Sequence, residues 1–197
     1  MTTKTLNISE EQLVDYSKAH NEPSWMTELR KKALKLTETL EMPKPDKTKL
    51  RKWDFDTFKQ HHTTGDSYHQ LTDLPKSVKE IIDVENSENL IIQHNNDLAY
   101  TQVSDQAKND GVIIEGLSEA LVNHSDLVQK YFMTKAVNVD EHRLTALHTA
   151  LVNGGIFVYV PKNTVVEHPI QYVVLHDDEQ ASFYNHVIIC LLYTSDA

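Results

Sequence analysis

Cysteine is nearly missing from this chain: Cys190 is the only one in 197 residues. It cannot close an internal disulfide, and alone it cannot hold an iron-sulfur cluster, which is usually gripped by four protein ligands, mostly thiolates. Inert packing is its default role. Long apolar runs are absent as well. None reaches the roughly 18–20 residues of a membrane span, and MTTKTLNISEEQ at the N-terminus lacks the apolar stretch of a signal peptide. No membrane association is expected, and the expected setting is the cytoplasm. Positive charge is scarce, with 19 Lys and Arg against 29 Asp and Glu, a net charge of −10. Phosphate backbones are gripped by clustered cations, so nucleic acid is not an expected partner. Gly111-x4-Gly116 is followed by Leu117 and Ser118, so the lysine of a phosphate-binding loop is missing.

What is present is an ordinary globular composition, 40% hydrophobic and 24% charged, which excludes wholesale disorder. Ser9-Glu10-Glu11-Gln12 has the form of a capping box ahead of Leu13, Tyr16 and His20 at helical spacing. A second helix starts near Asn21-Glu22-Pro23, with Met26, Leu29, Ala33, Leu36 and Leu40 as its apolar stripe. Residues 43–75 hold three of the six prolines and read as an irregular connection. Asn95-Asn96-Asp97, between Asn89–His94 and Leu98–Val103, predicts an antiparallel hairpin, and Gly111–Ile114 a further strand. Helical pieces follow between Ser118 and Asn153, the last of them capped by Asp140. From there the pattern is strand only: IFVYV, IQYVVLH and SFYNHVIICLLY, spaced as in a solenoid or a sandwich.

Eleven histidines invite a metal hypothesis. His61, His62 and His69 lie in a polar stretch with no rigid element to set their geometry. His168, His176 and His186 fall on or beside predicted strands with Glu167, and a cupin-like jelly-roll enzyme using those three is the alternative function. That site type places two histidines one residue apart, and no His-x-His occurs. Asp140, Glu141, His142 and His148 give no catalytic pairing, because the two histidines lie on different helix faces. Lys44, Lys47, Lys49, Arg51 and Lys52 precede Trp53 and Phe55. This stretch reads as a solvated linker whose aromatics dock on a neighbouring helix, with RNA contact as the other possibility. No catalytic, cofactor-binding or metal residue is assigned.

The most informative stretch runs from Leu144 to His176. Leu144, Leu147 and Leu151 recur at helical spacing, Gly154 and Gly155 can end that helix, and a β-branched run opens at Ile156. The pattern AL-x-x-ALVN-x-G-x-F-x-YVPK-x-x-x-VE-x-P, from Ala146 to Pro169, resembles the SufB/SufD family of iron-sulfur cluster assembly proteins. WM-x-x-LR-x-KAL from Trp25, KWDF from Lys52 and HSDLVQKYFM from His124 extend the likeness in the same order. The single cysteine and short N-terminal region resemble the cysteine-poor SufD branch.

The resemblance implies a non-enzymatic scaffold that works with a SufB-like paralogue and a SufC-like ATPase, building clusters for transfer to apoproteins. No cofactor is implied for this chain alone, and a transient iron-sulfur cluster is implied for the intact complex. The implied fold is α+β: a mainly helical region with a small hairpin over residues 1–153, then the first rungs of a right-handed parallel β-helix, a single-stranded β-solenoid, from residue 154 to 197. Family members continue well past residue 197, so a truncated N-terminal fragment is expected, with Cys190 to Ala197 unlike what usually follows. The residues assigned to cluster chemistry lie in the missing part, and none carries over.

Overall fold

The computed structural model describes residues 6–57 and 59–192. Along them run helices α1 (Glu10–Ala19), α2 (Ser24–Thr39), α3 (Lys76–Lys79), α4 (Asp105–Asn109), α5 (Leu117–Asn123), α6 (Ser125–Tyr131) and α7 (Arg143–Leu151). The strands are β1 (Asn89–His94), β2 (Asp97–Gln102), β3 (Ile113–Gly116), β4 (Gly154–Val160), β5 (Ile170–Leu175) and β6 (Asn185–Leu191). Two units emerge. Residues up to His61 together with Leu121–Val152 form a helical one, and His62–Ala120 with the chain from Asn153 onward form a β-rich one.

In the helical unit the capping box forms as expected. Ser9 Oγ accepts from Gln12 N at 3.2 Å, and Ser9 N donates to Gln12 Oε1 at 2.8 Å. The buried face of α2 is Met26, Arg30, Ala33 and Thr37, while Leu29 and Leu36 are half-buried. The expected stripe is therefore displaced, and its central position is an arginine. This face packs on α7, where Ala146, Leu147, Ala150 and Leu151 are buried. The N-cap of α7 is His142, two residues beyond the expected Asp140. Thr145 N donates to His142 Nδ1 and His142 N to Thr145 Oγ1, both at 3.2 Å. Helix α7 ends at Leu151, before the glycine pair, which instead opens β4.

The β-rich unit is two three-stranded mixed sheets, ordered β2-β1-β5 and β3-β4-β6. The hairpin at Asn95 forms as read, with β1 antiparallel to β2 and Asn95 in the left-handed region at φ 53°. Strand β1 also pairs in parallel with β5, so it is central and buried along its whole length. Its alternation sends Leu90 and Ile92 toward Leu74, Val78 and Ile82, and Ile91 toward Ile114, Ile156 and Val158 of the second sheet.

This pairing overturns the β-helix expectation: the sheets are small and mixed, and no closed solenoid forms among the described residues. Successive strands alternate between sheets, with β4 in the second, β5 in the first and β6 back in the second. Short apolar strands separated by turns carry no information about which strand each will pair with. Here β5 takes β1, far away in sequence, and β6 takes β4, passing over β5 between them. An apolar groove of about 340 Å³ lies between the sheets, lined by Ile156, Val158, Ile170, Tyr172, Val187 and Ile189 among others.

Gly155 on β4 stands opposite His186 on β6, with φ 136°, and a Cβ there would lie 1.9 Å from His186 O. Gly155→Ala is expected to cost about 3 kcal/mol or more, or to abolish folding. Gly111→Ala, where φ is 73° but a Cβ meets only Pro161 at 3.7 Å, is expected to cost about 1 kcal/mol. Urea unfolding of the two variants beside wild type measures the difference.

Candidate functional site

The three histidine groups singled out in the sequence do not converge. Among the described residues, no set of three or more His, Cys, Asp or Glu is placed to hold a metal ion. His168 lies 3.6 Å from Glu88, His176 packs on Phe183, and His186 is half-buried on β6. The jelly-roll alternative has no ligand set on which to rest. His61 donates to Leu151 O at 2.9 Å and His62 pairs with Asp97 at 2.9 Å, whereas His69 is exposed. The stretch around them is therefore anchored at two points. Cys190 is buried in β6, and residues 193–197 of the expected foreign ending lie outside the described residues.

What the structure does bring together is the hairpin turn from Gln93 to Asp97, where five consecutive side chains each fasten a different neighbour. Gln93 Nε2 donates to Asn95 O at 2.7 Å, and its Oε1 accepts from Gly155 N at 3.0 Å and from the Tyr172 hydroxyl at 2.6 Å. Asn95 Oδ1 accepts from the backbone of Asp177 and Asp178, both at 3.2 Å. Asn96 accepts from Thr63 N at 2.9 Å and donates to Ser182 O at 3.2 Å. Asp97 accepts from Gly65 N at 3.2 Å besides pairing with His62. Buried polar groups are costly unless bonded, about 1–3 kcal/mol each when left unmade, so this turn fixes the loops at 62–66 and 176–185. Burial also pushes the Tyr172 hydroxyl up to about 12. The sequence showed only a polar turn, because nothing local says that its side chains face inward.

His94 is the one member with the look of a catalytic group. Its Nδ1 accepts from Asp66 N at 2.8 Å, which places the ring proton on Nε2, and Nε2 donates to Asp177 Oδ1 at 2.9 Å. That hydrogen bond holds the Asp177 carboxyl below its ordinary value. The basic lone pair of the ring is thus already engaged by backbone, and the nearest hydroxyl, Tyr68, stands 3.5 Å from the same nitrogen. The pair positions loops, with the ring's acceptor nitrogen taken by the backbone N–H of Asp66.

The helical unit has its own buried polar junction. Arg30, 1% exposed, donates from Nε and Nη2 to the two carboxylate oxygens of Glu22 at 2.8 and 2.6 Å, and from Nη1 to Ala150 O at 2.9 Å. Its guanidinium lies 4.9 Å from the centre of the Tyr16 ring. Ser17 Oγ donates to Glu22 as well, at 2.7 Å. A single fork thus ties α1, the turn after it, α2 and the end of α7. Burial, with the Arg30 charge beside it, depresses the pKa of His148 on α7.

Across most of these elements the sequence conforms to one family: the model of the SufBD protein N-terminal region matches residues 9–172. The chain belongs to the SufBD family. It is 46% identical over 185 residues to the iron-sulfur cluster assembly protein SufD of Bacillus subtilis, covering 93% of this chain and 42% of that protein. A SufBD family protein of Pyrococcus horikoshii is 29% identical over 193 residues, covering 93% of this chain and 43% of its own length. One from Mycobacterium tuberculosis is 28% identical over 193 residues, covering 92% of this chain and 23% of its own. The chain therefore spans less than half the length of these relatives. The SufBD match opens at the α1 cap and reaches Tyr172, so it takes in the Arg30 junction and the Gln93–Asp97 turn but not Asp177, Asp178 and Ser182, to which that turn bonds.

Removing one member of the Arg30–Glu22 pair strands the other charge. Arg30→Met is expected to destabilise the chain by about 3–5 kcal/mol, and adding Glu22→Leu to recover part of that loss, measured by urea unfolding. For His148 the folded-state pKa lies below its ordinary 6.5, so acidification protonates the unfolded chain first. The neutral ring's contribution is complete above that value and fades as pH falls toward the folded pKa. His148→Gln should flatten the slope of stability between about pH 7 and pH 5.5, above the carboxylate range, in thermal melts compared with wild type.

Proposed function

We propose that this chain supplies the N-terminal region of a SufD-type scaffold, which supports iron-sulfur cluster assembly and transfer to apoproteins. The observation that carries the reading is the 46% identity to B. subtilis SufD over nearly the whole chain, well above the 29% to the archaeal SufBD protein. The partners in this reading are a SufB-like paralogue and a SufC-like ATPase, in the cytoplasm. No helix among the described residues is long and apolar enough to cross a membrane.

The role is non-catalytic. The polar side chains that cluster here hold loops in place, and the His94–Asp177 pair has its basic nitrogen occupied. The cluster itself is passing cargo, carried by the complex and not by this chain alone. Two rigid buried junctions suit such a part, because a scaffold contributes fixed surfaces against which other subunits assemble.

The test is a chimera in which this chain replaces the corresponding part of B. subtilis SufD, produced in cells depleted of their own SufD. Restored growth and iron-sulfur enzyme activity, with SufB and SufC co-purifying on the tagged chimera, are the expected results. A chimera that is soluble and folded, yet neither restores activity nor retains SufB and SufC, overturns the reading.

A further inference from the structure

Charge is distributed unevenly along this acidic chain. Residues 30–52 hold nine of its nineteen Lys and Arg but only three of its twenty-nine Asp and Glu. Some of these cations are already satisfied: Arg30 is buried on Glu22, Lys31 and Lys35 reach Glu10, and Lys44 reaches Glu41 at 2.7 Å. Lys47, Lys49 and Lys52 are exposed and have no ion-pair partner among the described residues. Immediately after them stands Trp53, 64% exposed, with its ring stacked on Phe55 at 5.9 Å and 17°. The expectation that these aromatics dock on a neighbouring helix is not met for the indole, which is largely in water.

An indole left in water is ordinarily explained by mobility, but here the base of the segment is fixed. Asp56, the residue after Phe55, is held by Arg143 at 2.6 Å with both side chains largely buried, and Arg143 Nε also donates to Thr37 O at 2.8 Å. Asp54 accepts from Asp56 N and from Thr57 Oγ1, both at 3.0 Å. The aromatic pair is therefore presented from an anchored turn, and little order remains to be imposed on binding. Tryptophan in such a setting is the residue type most enriched at interface hot spots.

We propose that Trp53, Phe55, Lys47, Lys49 and Lys52 form a docking surface for an acidic protein partner, whose carboxylates surround an apolar notch that takes the indole. The inference rests on the complex proposed above, and assigns one of its contacts to this surface. Charge complementarity selects the partner. At physiological salt, charges more than about 8 Å away are screened, so an approaching surface meets the local cations and not the net charge of the whole chain. Glu41, Asp46 and Asp54 punctuate the patch, which suits a protein surface of mixed sign better than a continuous polyphosphate. The two rings already stack on each other, leaving a single face apiece for a succession of bases.

The experiment uses the chimera with purified SufB and SufC, and reads affinity by biosensor. Trp53→Ala and the pair Lys47→Glu/Lys49→Glu are expected to weaken the complex tenfold or more, and rising salt to weaken the wild type far more than the charge-reversed pair. Lys76→Glu/Lys108→Glu, the same charge change on the β-rich unit, is expected to change affinity by less than about twofold. Variants that bind with wild-type affinity overturn the docking surface and leave the complex intact, whereas a wild type that forms no complex overturns both. Binding of fluorescein-labelled oligouridine that is lost in Trp53→Ala, with complex affinity unchanged, overturns the protein partner in favour of a single strand.

Discussion

Much of the β-rich unit turns on the buried carboxamide of Gln93. Sitting on the central strand of one sheet, it accepts from the backbone of Gly155 on the central strand of the other and from Tyr172 on a third strand. Two sheets that pack only through Ile, Val and Leu could slide over one another at little cost, whereas an amide with three partners admits one alignment. The same contact dictates Gly154, where a Cβ would stand 2.3 Å from the Gln93 amide nitrogen. A polar residue in the core thus explains a glycine sixty residues away.

The helical unit is organised in the same way, with Arg30 where the β-rich unit has Gln93. In both, the side chain that decides the packing is polar, fully buried and bonded to elements distant in sequence. That shared design explains which parts of the molecule could be read in advance. The capping box at Ser9 and the hairpin around Asn95 are local signals, decided within a few residues, and they form as read, whereas α7 forms with a later cap and ends ahead of the glycine pair. The family likeness was legible for the same reason, since it rests on the order of short motifs.

Arg30 was not legible, because its partner Glu22 lies in the turn ahead of α2, where the backbone is not helical and the pattern of the stripe does not reach. A lone arginine in an apolar stripe looks solvated until its carboxylate is found. Strand partners failed similarly. The runs from Ile156 onward were recognised as strands, but the stacking order implied by the family likeness does not form, since each strand crosses to the other sheet. Nor was the inward-facing turn at Gln93 to Asp97 visible, since its residue types are also those of an ordinary exposed turn.

Strand β1 lies beside β5 in a register that pairs Asn89 with Ile170. On a ribosome adding roughly 5–20 residues per second, the second strand emerges some seconds after the first. Throughout that interval the β1–β2 hairpin presents a long, apolar, unpaired edge through Leu90, Ile91 and Ile92, the kind of edge that recruits foreign strands. The central position that makes β1 the most buried strand of the finished unit also makes it the most vulnerable during synthesis. Slower translation after Gln102 would lengthen the exposure of that edge without altering a single contact in the folded protein.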